Sequence, residues 1–140
     1  MSEDRETRLL MISPGSELTP DQLARMVHSM SPSVTVKETC YGCLVEGPRE
    51  VVREARDRIR EMYPNEVFSK VRAYPAGDPR RCRAQHGTRP GFAQLESEWE
   101  FLSKVQHGLE CVERGEGPVQ MEKEEKLPVD RFKKICEANR

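Results

Sequence analysis

Between residues 9 and 74 the spacing of the apolar residues alternates between strand-like and helix-like patterns, and this alternation constrains the fold most. Residues 9–12 are an apolar run bounded by charged and turn-forming residues, which predicts a buried strand. Thr19, Pro20 and Gln22 then suit the cap, first and third positions of a helix start. The helix is expected to continue through apolar residues at helical spacing, namely Leu23, Met26, Val27 and Met30.

Residues 34–46 predict a β-hairpin, because apolar and polar residues alternate before and after Tyr41-Gly42. In this interpretation Gly42 makes the turn, and Cys40 and Cys43 bracket it and face each other. Residues 67–74 alternate again and predict a last strand. Between hairpin and last strand, a second amphipathic helix is expected to place its apolar stripe at Val52, Ala55, Ile59 and Met62.

The order strand, helix, strand, strand, helix, strand is that of the ferredoxin-like βαββαβ fold, an α+β class. The first and third strands are then expected in the middle of an antiparallel sheet, with both helices on one face. The other face needs a cover, because the first strand is apolar on both sides of its pleat. That cover could be another chain or a third helix at residues 91–109, whose apolar side is formed by Phe92, Leu95, Trp99, Leu102 and Leu109.

The last thirty-one residues differ in composition from the rest of the chain. Residues 108–126 carry six glutamates against one arginine and two lysines. We therefore predict a single domain over 7–109, followed by an acidic linker and polar tail over 110–140. A short docking helix at 128–138 is expected within this tail, because four residues fall on one helical side, namely Val129, Phe132, Ile135 and Cys136.

Several classes of protein fit this chain poorly. The charged start MSEDRETR is unlike a signal peptide, and the longest apolar run is too short to cross a membrane. Five cysteines without a regular framework favour a reducing cytoplasm. A net charge of −1, and first and third strands without aromatic residues, make nucleic acid an improbable partner.

A second feature is the stretch between the last strand and the third helix, because sixteen residues without periodicity are uncommon in a compact domain. It holds four arginines, a cysteine and a histidine close together in sequence. Guanidinium groups bind phosphates and carboxylates through paired hydrogen bonds, so this stretch predicts binding to an anion or to an acidic protein surface. The candidate binding residues, called the arginine loop below, are Arg80, Arg81, Arg83, His86 and Arg89.

The two-residue spacing of Cys40 and Cys43 raises the possibility of a metal site. Two thiolates on a tight turn can reach one zinc ion or one Fe–S cluster, and Cys82 with His86 could complete a set of four ligands. The simpler interpretation, which we favour, is that the cysteines are small, partly buried residues beside a turn. A redox pair is less favoured, because no helix start is predicted beside the motif. No signature of a catalytic nucleophile or a phosphate loop is present, so we expect no enzymatic activity.

Three long stretches make the chain similar to the methanogenesis marker protein 6 family. They are SPGSELTPDQLARMVHS after the first strand, KETCYGCLVEG in the hairpin and FSKVRAYPAGDPRRCRAQHGTRPGF before the third helix. The resemblance implies a cytoplasmic protein of methanogens associated with methyl-coenzyme M reductase, and it brings no catalytic residues. It favours an accessory or scaffold protein, without a resident cofactor, that helps assemble, modify or activate that enzyme by contacts with it or with its maturation proteins. The alternative is a small zinc or Fe–S protein.

Overall fold

The apolar run at residues 9–12 lies at the centre of a four-stranded antiparallel sheet. The computed structural model describes residues 4–77, 92–122 and 125–139, with the side chains of α3 described from residue 94 onward. Its elements are β1 Arg5–Ile12, α1 Pro20–Met30, β2 Thr35–Thr39, β3 Gly42–Pro48, α2 Arg49–Met62, β4 Val67–Arg72, α3 Phe92–Glu113 and α4 Val129–Ala138. The strand order is β2-β3-β1-β4, with β1 and β3 inside and every neighbouring pair antiparallel. The predicted α+β, ferredoxin-like arrangement is confirmed.

Helices α1 and α2 cover one face of the sheet. The predicted start of α1 is confirmed, since the Gln22 backbone N–H donates to the Thr19 hydroxyl and the Thr19 N–H donates to the Gln22 side chain. Buried residues of both helices pack on the sheet, namely Leu23, Val27, Val52, Ala55 and Ile59. The apolar stripe of α2 ends one turn earlier than expected, because the Met62 side chain is half exposed.

Helix α3 covers the opposite face of the sheet, so this chain supplies its own cover. Its residues Leu95, Trp99 and Leu102 pack against the four buried residues Leu9, Met11, Tyr41 and Leu44. The Trp99 indole N–H also donates to the Ile12 carbonyl at 3.0 Å, which fixes the helix at the end of β1. Leu109, expected on the same side, is 38% exposed and contributes little to this contact.

Two elements are longer than the sequence indicates. Strand β1 begins at Arg5, four residues before the apolar run, and α3 continues to Glu113 rather than ending near residue 109. The end of α3 has a clear physical cause. Gly115 has φ of +75°, and the Glu116 N–H donates to the Cys111 carbonyl at 3.0 Å, the pattern of a Schellman cap that turns the chain out of the helix.

The predicted tail helix is present as α4, and its apolar side chains are exposed. None of its described residues is buried, and Val129, Phe132 and Ile135 are 45–68% exposed. Across the described ranges of the chain, no helix is both long and apolar enough to cross a membrane.

Candidate functional site

The hairpin that carries the Cys-x2-Cys motif is confirmed, but its turn is placed differently from the prediction. Thr39 pairs with Gly42, so the turn consists of Cys40 and Tyr41, and Gly42 is the first residue of β3. Cys43 pairs with Glu38 rather than with Cys40. The expectation that Gly42 makes the turn and that the two cysteines face each other across it is therefore wrong.

Gly42 is needed for its contact with the neighbouring strand. Its φ is +151°, and a Cβ atom on it would lie 2.0 Å from the backbone oxygen of Leu10. Only glycine accepts both this backbone conformation and this approach without strain. The glycine therefore allows β1 and β3 to run side by side up to the hairpin end.

Cys43 belongs to the core beneath α1 and α2. Its side chain is fully buried in the same apolar cluster as Leu10, Val45 and Ile59. Burial, with a smaller contribution from the charge of Glu38, raises the pKa of the Cys43 thiol to about 12. Because the thiolate is the form that binds metals and attacks disulfides, Cys43 is poorly suited to either chemistry in this structure.

The other two motif residues point to different surroundings. Tyr41 is buried on the α3 side of the sheet, where its ring centroid lies 5.1 Å from that of Trp99. Cys40 is exposed at the turn and is a free thiol. Tyr41 and Cys43 thus pack in the core, and Gly42 allows β1 and β3 to approach each other. Cys40 is left as the accessible group of the motif.

The proposed metal set is only partly within the described structure. Cys82 and His86 lie in residues 78–91, outside the described ranges. Among the residues that the structure describes, no group of three or more cysteine, histidine or acidic side chains is placed to hold an ion. The four-ligand set of Cys40, Cys43, Cys82 and His86 therefore stays a prediction, and the burial of Cys43 argues against it.

The arginine loop also lies within residues 78–91, so all five of its predicted binding residues are outside the described ranges, namely Arg80, Arg81, Arg83, His86 and Arg89. The residues just before it are held firmly. Ala76 is buried, and its backbone N–H donates to the carboxylate of Glu46 on β3. Glu46 also pairs with Arg5 at 3.6 Å, so the carboxylate that holds Ala76 is itself anchored to β1.

The start of the loop and the hairpin turn are tied to the same strand. Glu46, which binds the segment before the loop, is four residues from Gly42 on β3. At roughly 3.4 Å per residue, this is a separation of about 14 Å along the sheet. A protein surface of ordinary interface size, about 800 Å² per partner, spans that distance.

A buried ionic cluster was missed by the sequence reasoning. Glu6 on β1 is 9% exposed, and its carboxylate is contacted by the guanidinium groups of Arg8, Arg53 at 3.3 Å and Arg49 at 4.0 Å. Three cations around one carboxylate compensate the burial of Glu6 and join β1 to the first turns of α2. Residues 4–8 are charged except for Thr7 and show no strand-like alternation with apolar residues, so no local signal indicated that β1 starts at Arg5.

A second ion pair joins α3 to the edge of the sheet. The Lys70 ammonium on β4 donates to both carboxylate oxygens of Glu98, at 2.6 and 2.7 Å. This hydrogen bond is the main reason that the pKa of Glu98 lies below its usual value. The pair is partly exposed, so it orients α3 on β4 more than it stabilises the fold.

Comparisons with known proteins give a family and an archaeal relative. A family described as an uncharacterized protein conserved in archaea (DUF2102) matches residues 9–110, which span the sheet except for the first four residues of β1, together with most of α3. The chain is also 36% identical to the uncharacterized protein MJ0498 of the methanogen Methanocaldococcus jannaschii, over 95% of this chain and 93% of that protein. No solved structure matches the chain. Helix α4 lies beyond the family match.

Proposed function

Because the chain belongs to the archaeal family DUF2102, we propose that it acts in methanogens as a non-catalytic accessory protein that binds other proteins. Its partner is methyl-coenzyme M reductase or a protein that matures or activates that enzyme in the cytoplasm. The observation that carries this proposal is the relative from a methanogen, which aligns with nearly the whole chain. The resemblance of the hairpin and arginine-loop sequences to a methanogenesis marker family supports the same role.

The contact surface of the proposal combines the hairpin turn with the arginine loop. The motif residues Tyr41, Gly42 and Cys43 are used for packing, so a catalytic role for them has no support from their positions. The loop contributes arginines to this surface, which pair with carboxylates through two parallel hydrogen bonds. We therefore propose that the partner presents an acidic surface.

A charge-reversal experiment tests which surface is used. The tagged chain is expressed in a methanogen and purified without oxygen, with Arg80, Arg81 and Arg83 each replaced by glutamate. The matched control replaces three exposed helical arginines by glutamate, namely Arg25, Arg58 and Arg60. Both variants change the net charge equally. Recovery of the partner is expected to fall at least about tenfold in the loop variant and to stay unchanged in the control, because charged interface pairs set specificity. An equal loss in both variants would mean that net charge, and not this surface, decides binding.

Metal analysis of the same purified protein separates the accessory function from a zinc or Fe–S function. The proposal expects less than one metal ion per chain. Stoichiometric zinc or iron that disappears in a Cys40→Ser, Cys43→Ser double variant would contradict it. The single Cys40→Ser variant is the control, since Cys43 is the buried member of the pair and its loss alone perturbs the core.

A further inference from the structure

A cavity of about 320 Å³ lies between the end of α2, the start of β4 and the second half of α3. This volume is at the lower end of the range that small-molecule sites occupy in proteins. The apolar part of its lining consists of Pro64, Val67, Phe68 and Leu109. Leu109, which contributes little to the contact of α3 with the sheet, thus forms the α3 wall of this cavity.

Two polar contacts hold the walls of this cavity together. The Asn65 side chain donates to the Glu113 carboxylate at 2.8 Å, which ties the turn after α2 to the end of α3. Asn65 has φ of +67°, a conformation that asparagine adopts more readily than most residues. The pair of Lys70 and Glu98 joins β4 to α3 as well. The cavity therefore belongs to the fold of the chain and does not need a ligand to form.

The rim of the cavity carries opposite charges from one side of α2. Asp57 lies three residues before Arg60 and four before Glu61, so the three side chains are neighbours on the helix surface. The carboxylate of Asp57 already accepts two hydrogen bonds from Arg56, at 2.8 and 2.9 Å. Arg60 and Glu61 make no hydrogen bond or ion pair within the described ranges of the chain. One guanidinium and one carboxylate at the cavity are therefore available to a ligand.

A small zwitterion with an apolar side chain matches this combination of groups. Its carboxylate can accept two parallel hydrogen bonds from Arg60, and its ammonium can donate to Glu61. Its apolar side chain can pack on Phe68 and Leu109, which removes apolar surface from water. A ligand with a single charge would use only one of the two charged groups.

From these observations we propose that the cavity binds a free amino acid with an aliphatic or aromatic side chain. Arg60 and Glu61 hold its carboxylate and its ammonium group, and Phe68 and Leu109 contact its side chain. This inference is independent of the proposed accessory function, because it concerns a small ligand of the chain itself. A chain that binds no reductase-associated protein still has to satisfy it.

Titration of the isotope-labelled full-length chain, followed by NMR, tests the proposal with L-phenylalanine as the probe. The amides of residues 60–68 and of Leu109 are expected to shift with a Kd of about 1 mM or tighter, an ordinary affinity for a ligand of this size. Two analogues test the recognition of both charges, since 3-phenylpropionate lacks the ammonium and 2-phenylethylamine lacks the carboxylate. Each analogue should bind at least about fivefold more weakly, because it loses one charge-assisted contact.

Variants of the full-length chain test the assigned residues. Arg60→Gln and Glu61→Gln should each weaken the binding of L-phenylalanine at least about fivefold. The matched controls are Arg58→Gln and Glu54→Gln, because these two residues are exposed on the same helix, pair with each other and lie outside the cavity lining. Leu109→Trp should abolish binding by filling the cavity, although it leaves every charge in place. The amide signals of β1 show whether each variant is folded.

Three outcomes overturn the proposal. One is the absence of shifts around the cavity at about 10 mM L-phenylalanine, where a site of the expected affinity is mostly occupied. Another is equal affinity for L-phenylalanine and for the two singly charged analogues, because the site then does not recognise a zwitterion. The third is an affinity that changes no more in Arg60→Gln and Glu61→Gln than in the two control variants.

Discussion

Replacing Gly42 by alanine is expected to destabilise the sheet far more than the same change at Gly47, although both residues lie in β3. The new Cβ at position 42 would lie 2.0 Å from the Leu10 oxygen, a backbone atom that cannot move without displacing β1. At position 47 the nearest atom is a side-chain methyl of Val34 at 3.0 Å, which can give way by a few tenths of an ångström.

The magnitude follows from two costs at Gly42. Overpacking costs about 1–3 kcal/mol, and holding a non-glycine residue at its φ of +151° costs about 1–3 kcal/mol more. We expect Gly42→Ala to lower the free energy of unfolding by about 2–6 kcal/mol, the sum of these two costs, and Gly47→Ala to lower it by less than about 1.5 kcal/mol. A domain of this size has roughly 5–15 kcal/mol in total, so the first variant is left marginal.

Urea unfolding followed by circular dichroism measures both variants. With a slope of about 2 kcal/mol per molar urea, the Gly42→Ala midpoint should fall by roughly 2 M, and that of Gly47→Ala by less than about 1 M. The slope itself should not change, since the sheet is still the unit that unfolds. Equal small losses in the two variants would refute the close approach of β1 to Gly42, and with it the register of β1 on β3.

Three further predictions concern the thiols and the ion pairs. Iodoacetamide on the native chain should label Cys40 and spare Cys43 at pH 8, because burial raises the Cys43 pKa to about 12, and peptide mapping that finds both labelled equally would contradict this. Lys70 lowers the pKa of Glu98 in the folded chain, so the pair should add less than about 1 kcal/mol to the free energy of unfolding at pH values above the unfolded-state pKa of glutamate. This contribution should be lost as the pH falls through the lower folded-state pKa. A Glu98→Gln variant that is still less stable than the unmodified chain at pH 2 would refute the pairing. Glu6→Gln should lower the free energy of unfolding, measured by thermal unfolding, by about 2–4 kcal/mol, because it leaves clustered guanidinium groups without their counter-charge. A loss below about 0.5 kcal/mol would contradict the buried cluster.

The fold could be predicted from the sequence because its signals are local. The capping box before α1 and the helical spacing of the apolar residues in α1 and α2 depend only on residues close in sequence, and these signals fix the order of elements. The helical spacing of apolar residues also predicts the third helix, and Trp99 and Leu102 pack on the sheet as that spacing indicates. What the sequence left open was whether this helix or another chain covers the sheet, since the choice depends on packing between distant segments.

The details of the hairpin and the ionic cluster could not be predicted, for the same reason. The glycine at position 42 looks in the sequence like a turn glycine, but it is required because the backbone of Leu10, thirty-two residues earlier, lies too close for a Cβ atom. The buried role of Cys43 depends on which side of β3 the helices cover. Glu6 is paired with Arg53, forty-seven residues later, and no local pattern announces a contact of that range.

The accessory function is tested most directly by anaerobic affinity purification of the tagged full-length chain from a methanogen, with quantitative mass spectrometry of the proteins that accompany it. The proposal expects methyl-coenzyme M reductase subunits, or proteins that mature that enzyme, to be enriched at least about tenfold over an untagged strain. Binding at a micromolar Kd or tighter is sufficient for such recovery. Purification of the chain alone, or with partners unrelated to the reductase, would contradict the proposal.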